Sequence, residues 1–183
     1  MARISPKPFS KYPWYIRLLL RSQKRKYGVY SEPVLLWGRS PSVFLGFMWM
    51  QKALNRKKSK IAPDLRAMIT IKVSQFNQCS FCIDMNSALL LQRGGSHEKL
   101  DAISRFRQSP LFSAPENAAL EYVEAVMKNP HQVPDGVFSC LRSHFDEDAI
   151  VEMTALIGLQ NLSSQFNAAL DAAPMGFCQL FKS

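Results

Sequence analysis

The sequence predicts an all-α protein, on three observations. Helix-start signals recur: Pro63 with Asp64, the Ser113-Ala-Pro-Glu116 capping box, and Asp146. Stop signals answer them at Gly28, Gly94-Gly95 and Asn129-Pro130. Between them lie stretches rich in Leu, Ala and Met, several with apolar residues gathered on one side. At 183 residues the chain suits one folded unit, or one with a long arm, and can bury a real core.

Taken in order, Pro6, Pro8 and Pro13 hold the first dozen residues extended. Residues 13–28 form a helix with Ile16, Leu19 and Leu20 on one side, ending at Gly28. Helices follow at 33–38 and at 41–55, the second opened by "SPS". "NRKKSKIAPD" is a polar linker. In "APDLRAMITIKVSQFN", the stretch Ile69–Val73 alternates like a strand, so periodicity alone leaves helix and strand open despite the helix-start signals. Residues 78–93 are helical by their Leu and Ala content and stop at the double glycine. Ser113 opens a helix in which Leu120, Val123 and Met127 share a face. Asp146 caps a long last helix running to about Leu170. Residues 96–112 and 132–145 receive no element.

Charge divides the chain. Residues 1–60 carry 14 Lys and Arg against the single acid Glu32, so +13, while residues 61–183 carry −4, together the net +9. The organisation expected is a basic helical arm, 1–60, before a mildly acidic helical domain, 61–183. Arg17, Arg21, Lys24, Arg25 and Lys26, with Trp14, Tyr15 and Tyr27, are residue types that bind nucleic acid or an anionic membrane surface. The plainer reading is a solvated face, or an arm docked on acidic partner subunits, and no DNA-binding motif accompanies the cluster. No stretch approaches the roughly 18–20 apolar residues of a membrane span, and Arg17 breaks the early apolar run that a signal peptide needs. A cytoplasmic protein with reduced thiols is expected.

Cys79 and Cys82 are the leading candidates for chemistry. Three positions apart on a helix, they share a face. Zinc needs two further ligands, and Cys140, Cys178 and the scattered histidines supply no second pair. The remaining readings are two small core residues and a redox dithiol. If Asn77 caps the helix, both cysteines fall in its first turns, where free N–H groups and the macrodipole favour a thiolate. That position favours the redox reading.

The segment "LRAMITIKVSQFNQCSFCIDMNSA" resembles the signature of the carboxymuconolactone decarboxylase-like superfamily, in particular its alkylhydroperoxidase D-like branch. "SPLFSAPENAALEYVEAV" and "HFDEDAIVEMTALIGLQNLSSQFNAAL" resemble that branch's later helices, so the likeness covers about residues 60–171. It implies an alkylhydroperoxidase D-like helical fold, which resolves "MITIKV" as helix, and a trimer or hexamer that buries residues such as Phe166 and Leu170 between subunits. It also implies a peroxidase: Cys82 attacks the peroxide and passes through a sulfenic acid, and Cys79 donates a proton and resolves Cys82 as a disulfide. A partner dithiol then reduces that disulfide, and no metal or organic cofactor is needed.

The chain departs from the family pattern at the proton relay. The relay histidine falls on Asn86, and the relay glutamate on Ala67 or Thr70. Asn86 can hydrogen-bond but has no base to offer near neutral pH. Substitute bases are His131, His144 and Glu152, the last pointing from its helix toward the dithiol of its own or a neighbouring subunit. His97 is expected to be exposed, and Asp84, two residues from Cys82, to be a solvated or interface charge. The readings carried forward are a thiol peroxidase, a dithiol–disulfide oxidoreductase with weak peroxidase activity, and a non-catalytic oligomeric binding protein that lost the relay.

Overall fold

The computed structural model describes residues 2–178. Residues 179–183 of the expected domain, and the side chains of Lys26 and Tyr27 in the expected basic cluster, lie outside the described residues. The described residues contain no strand. They form α1 (Trp14–Tyr27), α2 (Glu32–Trp37), α3 (Pro41–Leu54), α4 (Pro63–Phe76), α5 (Ser80–Gln92), α6 (His97–Ala102), α7 (Ala114–Lys128), α8 (Asp135–Arg142) and α9 (Glu147–Ala169). Two short 3-10 turns, Phe9–Lys11 and Ile103–Gln108, complete the set.

Two α-helices and the second 3-10 turn lie where sequence reasoning placed no element. Their signals are short but physical. The Ser96 hydroxyl accepts the Lys99 N–H and caps α6, and Pro134-Asp135 opens α8 as proline and acid open other helices. Elements of six or eight residues offer too little periodicity to stand out.

The strand-like alternation in "MITIKV" has a structural cause. Helix α4 is buried over ten consecutive residues, Leu65–Ser74. It is enclosed by α5, α7 and α9, so it has no wet face and shows no 3.6-residue pattern. Its capping box gives α7 both of its reciprocal bonds, Ser113 with Glu116. The C-termini of α4 and α5 close alike. Gln78 N–H donates to Gln75 and Cys79 N–H to Ser74; Gly94 N–H donates to Leu91 and Gly95 N–H to Leu90.

The N-terminal arm is held by its own apolar cluster of Tyr12, Ile16, Leu20, Trp37 and Phe44. Trp37 stacks on Phe47 on one side and on Phe166 of α9 on the other, with centroids 4.7 and 3.8 Å away. Phe166, expected between subunits, therefore packs against the arm of its own chain. Glu152, expected near the dithiol, instead fastens the linker: it pairs with Arg56 and accepts from Ser59 Oγ (2.8 Å) and Lys60 N (3.1 Å).

The enclosure of α4 buries Lys72, which pairs with Glu124 of α7 at 2.8 Å. Arg107 reaches the other Glu124 oxygen at 2.7 Å, and the Lys72 ammonium lies 5.0 Å from the Phe106 ring centre. Burial pushes the Glu124 carboxyl up, but the bonds and charges of Lys72 and Arg107 together outweigh it and leave it at about 2. Glu124→Ala strands a buried ammonium, and urea unfolding should show a loss of about 3–5 kcal/mol. The folded-state value lies below the ordinary 4.5. The carboxylate's contribution is thus present above pH 4.5 and lost as pH falls toward 2. In the variant, that acid-dependent loss should shrink.

Candidate functional site: a buried dithiol

The α4–α5 connection positions the sulfurs. Asn77 is not the cap of α5 but the last residue of the α4 turn, and its Nδ2 donates to Asn161 Oδ1 at 2.8 Å. Gln78 then takes a left-handed φ of 51°, a conformation that costs an L-residue about 1–2 kcal/mol. This swing makes Cys79 itself the N-cap: its sulfur accepts the Cys82 N–H at 3.4 Å, which places Cys82 at the third helical position. Cys79 and Cys82 are only 2% and 3% exposed, whereas Cys140 is exposed and Cys178 half-buried.

The two thiols are driven apart electrostatically. A hydrogen bond from Cys79 lowers Cys82; burial opposes it, and Asn167, Ser164 and Ser163 add to the lowering. The result is a thiol brought from 9.0 to about 7. Cys79 moves upward, because it donates to Cys82 and because burial and the neighbouring charge oppose a second anion. Cys82 thus gives up its proton before Cys79, and the second proton is held far more tightly. Asn167 of α9 donates through Nδ2 to Cys82 Sγ at 3.3 Å. Its Oδ1 is buried without a hydrogen-bond partner among the described residues.

Behind the sulfurs runs a buried neutral network. Ser74 Oγ donates to the Thr70 carbonyl (2.6 Å) and receives Gln160 Nε2 (3.1 Å) and, more loosely, Asn86 Nδ2 (3.4 Å). Gln160 Nε2 also reaches Ser164 Oγ at 2.9 Å. These amides and hydroxyls orient one another but none titrates near neutral pH. No group of three or more His, Cys, Asp or Glu able to hold a metal occurs among the described residues.

Residues 41–125 match the carboxymuconolactone decarboxylase family. The uncharacterised protein YnjA of Escherichia coli K12 is 41% identical over 173 residues, covering 94% of this chain and 95% of the relative. The chain belongs to the carboxymuconolactone decarboxylase family. Its Cys79–Cys82 pair sets it with the family's alkylhydroperoxidase D-like branch. Two solved structures share the fold of this family member. One is an alkylhydroperoxidase AhpD core protein, an uncharacterised peroxidase-related protein from Ralstonia eutropha JMP134. It has a TM-score of 0.89 and 22% identity, covering 100% of this chain and 97% of that one. The other is the debrominase Bmp8, with a TM-score of 0.81 and 22% identity over 98% and 95% of the two chains.

Within this family member, the positions of the relay are occupied by neutral groups, as the sequence implied. Asn86 joins the network, Thr70 supplies its carbonyl to Ser74, and Ala67 lies in the apolar core. The substitute bases are not gathered at the dithiol. His131 and His144 are exposed in the turns before α8 and α9, and Glu152 is held by the linker. Asp84, read as a solvated or interface charge, instead accepts backbone N–H groups from Met175, Phe177 and Cys178. Sequence reasoning missed Asn167, Ser163, Ser164, Gln160 and Ser74. Their signal was polar residues on α9 and α4, where apolar ones were expected.

The lowered thiol has a measurable consequence. The alkylation rate of Cys82 by iodoacetamide, read by peptide mass spectrometry, should rise with pH to a midpoint near 7, below the ordinary thiol's 9.0. Asn167→Leu removes a donor to the thiolate and should move that midpoint upward.

Proposed function

We propose that the protein is a thiol-dependent peroxidase that works through Cys82 and Cys79, in antioxidant defence. The observation that carries this reading is the Cys82 sulfur, lowered to about 7 with a protonated thiol beside it. The thiolate attacks the distal oxygen of a hydroperoxide and the O–O bond breaks. Cys82 becomes a sulfenic acid, and the departing alkoxide takes the proton of Cys79. The Cys79 thiolate then attacks the Cys82 sulfur and expels hydroxide, which is protonated to water. An external dithiol supplies two electrons, regenerates the pair and is itself oxidised to a disulfide. Asn167 Oδ1, lacking a partner, would accept the hydroperoxide O–H beside the sulfur it holds.

The second reading, a dithiol–disulfide oxidoreductase with weak peroxidase activity, draws on the neutral relay positions Asn86, Ala67 and Thr70. Thiol–disulfide exchange needs a thiolate but less help from a general base. A reducing, cytoplasmic setting suits both readings. After a stoichiometric dose of peroxide, the tryptic peptide spanning both cysteines should lose two hydrogens. Peroxide consumption with a dithiol reductant should vanish in Cys82→Ser. Disulfide exchange without peroxide consumption would transfer the conclusion to the second reading. A native pair that resists oxidation would overturn both.

We also infer assembly of this chain with its own copies through α3. Val43, Leu45, Met48, Trp49 and Met50 are exposed on that helix, Trp49 by 72%, more apolar surface than one exposed helix carries by chance. The arm's +13 and the domain's −4 are opposite in sign, which favours contact between copies. Sedimentation should give a mass several times 20.8 kDa. Trp49→Glu should reduce it toward that of one chain. A native monomer at all concentrations would refute the arrangement.

A further inference from the structure

Both sulfurs are buried, and Phe177, from the segment after α9, shares their apolar cluster. After α9, Asp171 takes a left-handed φ of 55°, and Ala172 N–H donates back to the Asn167 carbonyl at 2.9 Å. The chain then runs back over α5. The Asp84 carboxylate, one turn into α5, accepts from Met175 N (3.1 Å) and Phe177 N (2.9 Å) through Oδ2, and from Cys178 N (2.8 Å) through Oδ1. Gly176, at φ 73°, supplies the left-handed step that turns these N–H groups toward one carboxylate. Ala173 N–H is fastened to Glu32 of the arm at 3.0 Å.

This hold places Phe177 in the apolar cluster that contains both cysteines. Phe177 is 3% exposed and meets Phe81 edge-on with centroids 6.2 Å apart. With Phe81, Ala88 and the two cysteines it forms a cluster of its own, flanked by Met85 and Met175. Apart from the two sulfurs, the cluster is wholly apolar. A reagent or a partner dithiol must touch Cys82, and in this arrangement it cannot.

We propose that residues 172–178 form a strap whose Phe177 ring occupies the substrate seat of the dithiol. The seat takes the uncharged, apolar part of a substrate once the strap lifts. Asp84 is the latch, since it alone receives three of the strap's backbone N–H groups. The substrate assignment rests on the redox reading above, whereas the covering of the thiols does not. A terminal segment held by a few hydrogen bonds and one ring opens at low cost beside the helices it covers, so the covering slows reaction without blocking it.

The test uses the full chain and two variants, Phe177→Ala and Asp84→Asn, with folding checked by circular dichroism. Each variant should raise the rate of Cys82 alkylation by iodoacetamide at least about tenfold, as expected when a local closing equilibrium is relieved. The exposed Cys140 serves as internal control and should not change. In Phe177→Ala, cumyl alcohol should protect Cys82 from alkylation, and benzoate, of similar size but anionic, should not. Unchanged alkylation in Phe177→Ala overturns the strap, whatever the folding of Asp84→Asn. Equal protection by cumyl alcohol and benzoate overturns the apolar seat. Faster alkylation with a pair that no peroxide oxidises leaves the strap standing and removes the peroxidase reading. Oxidation by cumene hydroperoxide at one rate in native and variant proteins leaves the peroxidase and removes the strap.

Discussion

The burial of α4 on every side is the constraint on which the rest of this structure depends. A helix with no wet face must find a partner for every polar side chain it carries, because an unpaired buried group costs about 1–3 kcal/mol. Helix α4 carries Arg66, Thr70, Lys72 and Ser74 within its buried stretch. Arg66 reaches the Ile61 carbonyl. Lys72 draws Glu124 inward from α7 and, through it, Arg107. Ser74 draws Gln160 and Ser164 of α9 and Asn86 of α5 around one hydroxyl. The polar residues of α4 therefore set how α5, α7 and α9 sit around it.

That requirement is also what builds the site. The end of α4 turns through the left-handed Gln78, so the first turn of α5 begins at a sulfur. The network anchored on Ser74 keeps α9 in a register that brings Ser163, Ser164 and Asn167 to Cys82. Two thiols in one dry pocket cannot both ionise, and the donors lie on the Cys82 side. The asymmetry of the pair thus follows from which sulfur the donors of α9 reach.

Family membership sharpens the meaning of this arrangement. Where the family pattern calls for a relay of histidine and glutamate, this chain has amides, hydroxyls and a methyl group. They hold the geometry but move no proton on their own. The lowering of Cys82 comes instead from hydrogen bonds of Cys79, Asn167, Ser164 and Ser163. The Cys82 thiol is thus lowered by fixed donors rather than by a base, in a cluster that also contains Phe177.

Much of the fold was legible in the sequence because helix boundaries are local chemistry. Ser113 with Glu116, Asp146, Gly28 and Gly94-Gly95 act within four or five residues of chain, and so did the spacing that put Cys79 and Cys82 on one face. The short helices at 97–102 and 135–142 escaped because six or eight residues leave little pattern. The strand-like run at 69–73 left periodicity undecided because its pattern reflects burial on all sides, a property of neighbours. The rest of the site was settled by contacts between residues far apart in the chain. Asn167 reaches Cys82 across 85 positions and Cys178 reaches Asp84 across 94. Glu152 turned to a linker 92 positions away rather than to the thiols. The sequence by itself determined most of the helices and the spacing of Cys79 and Cys82. Only tertiary packing decided which sulfur the neighbouring donors lower and which groups surround it, because hydrogen bonding and desolvation act through space.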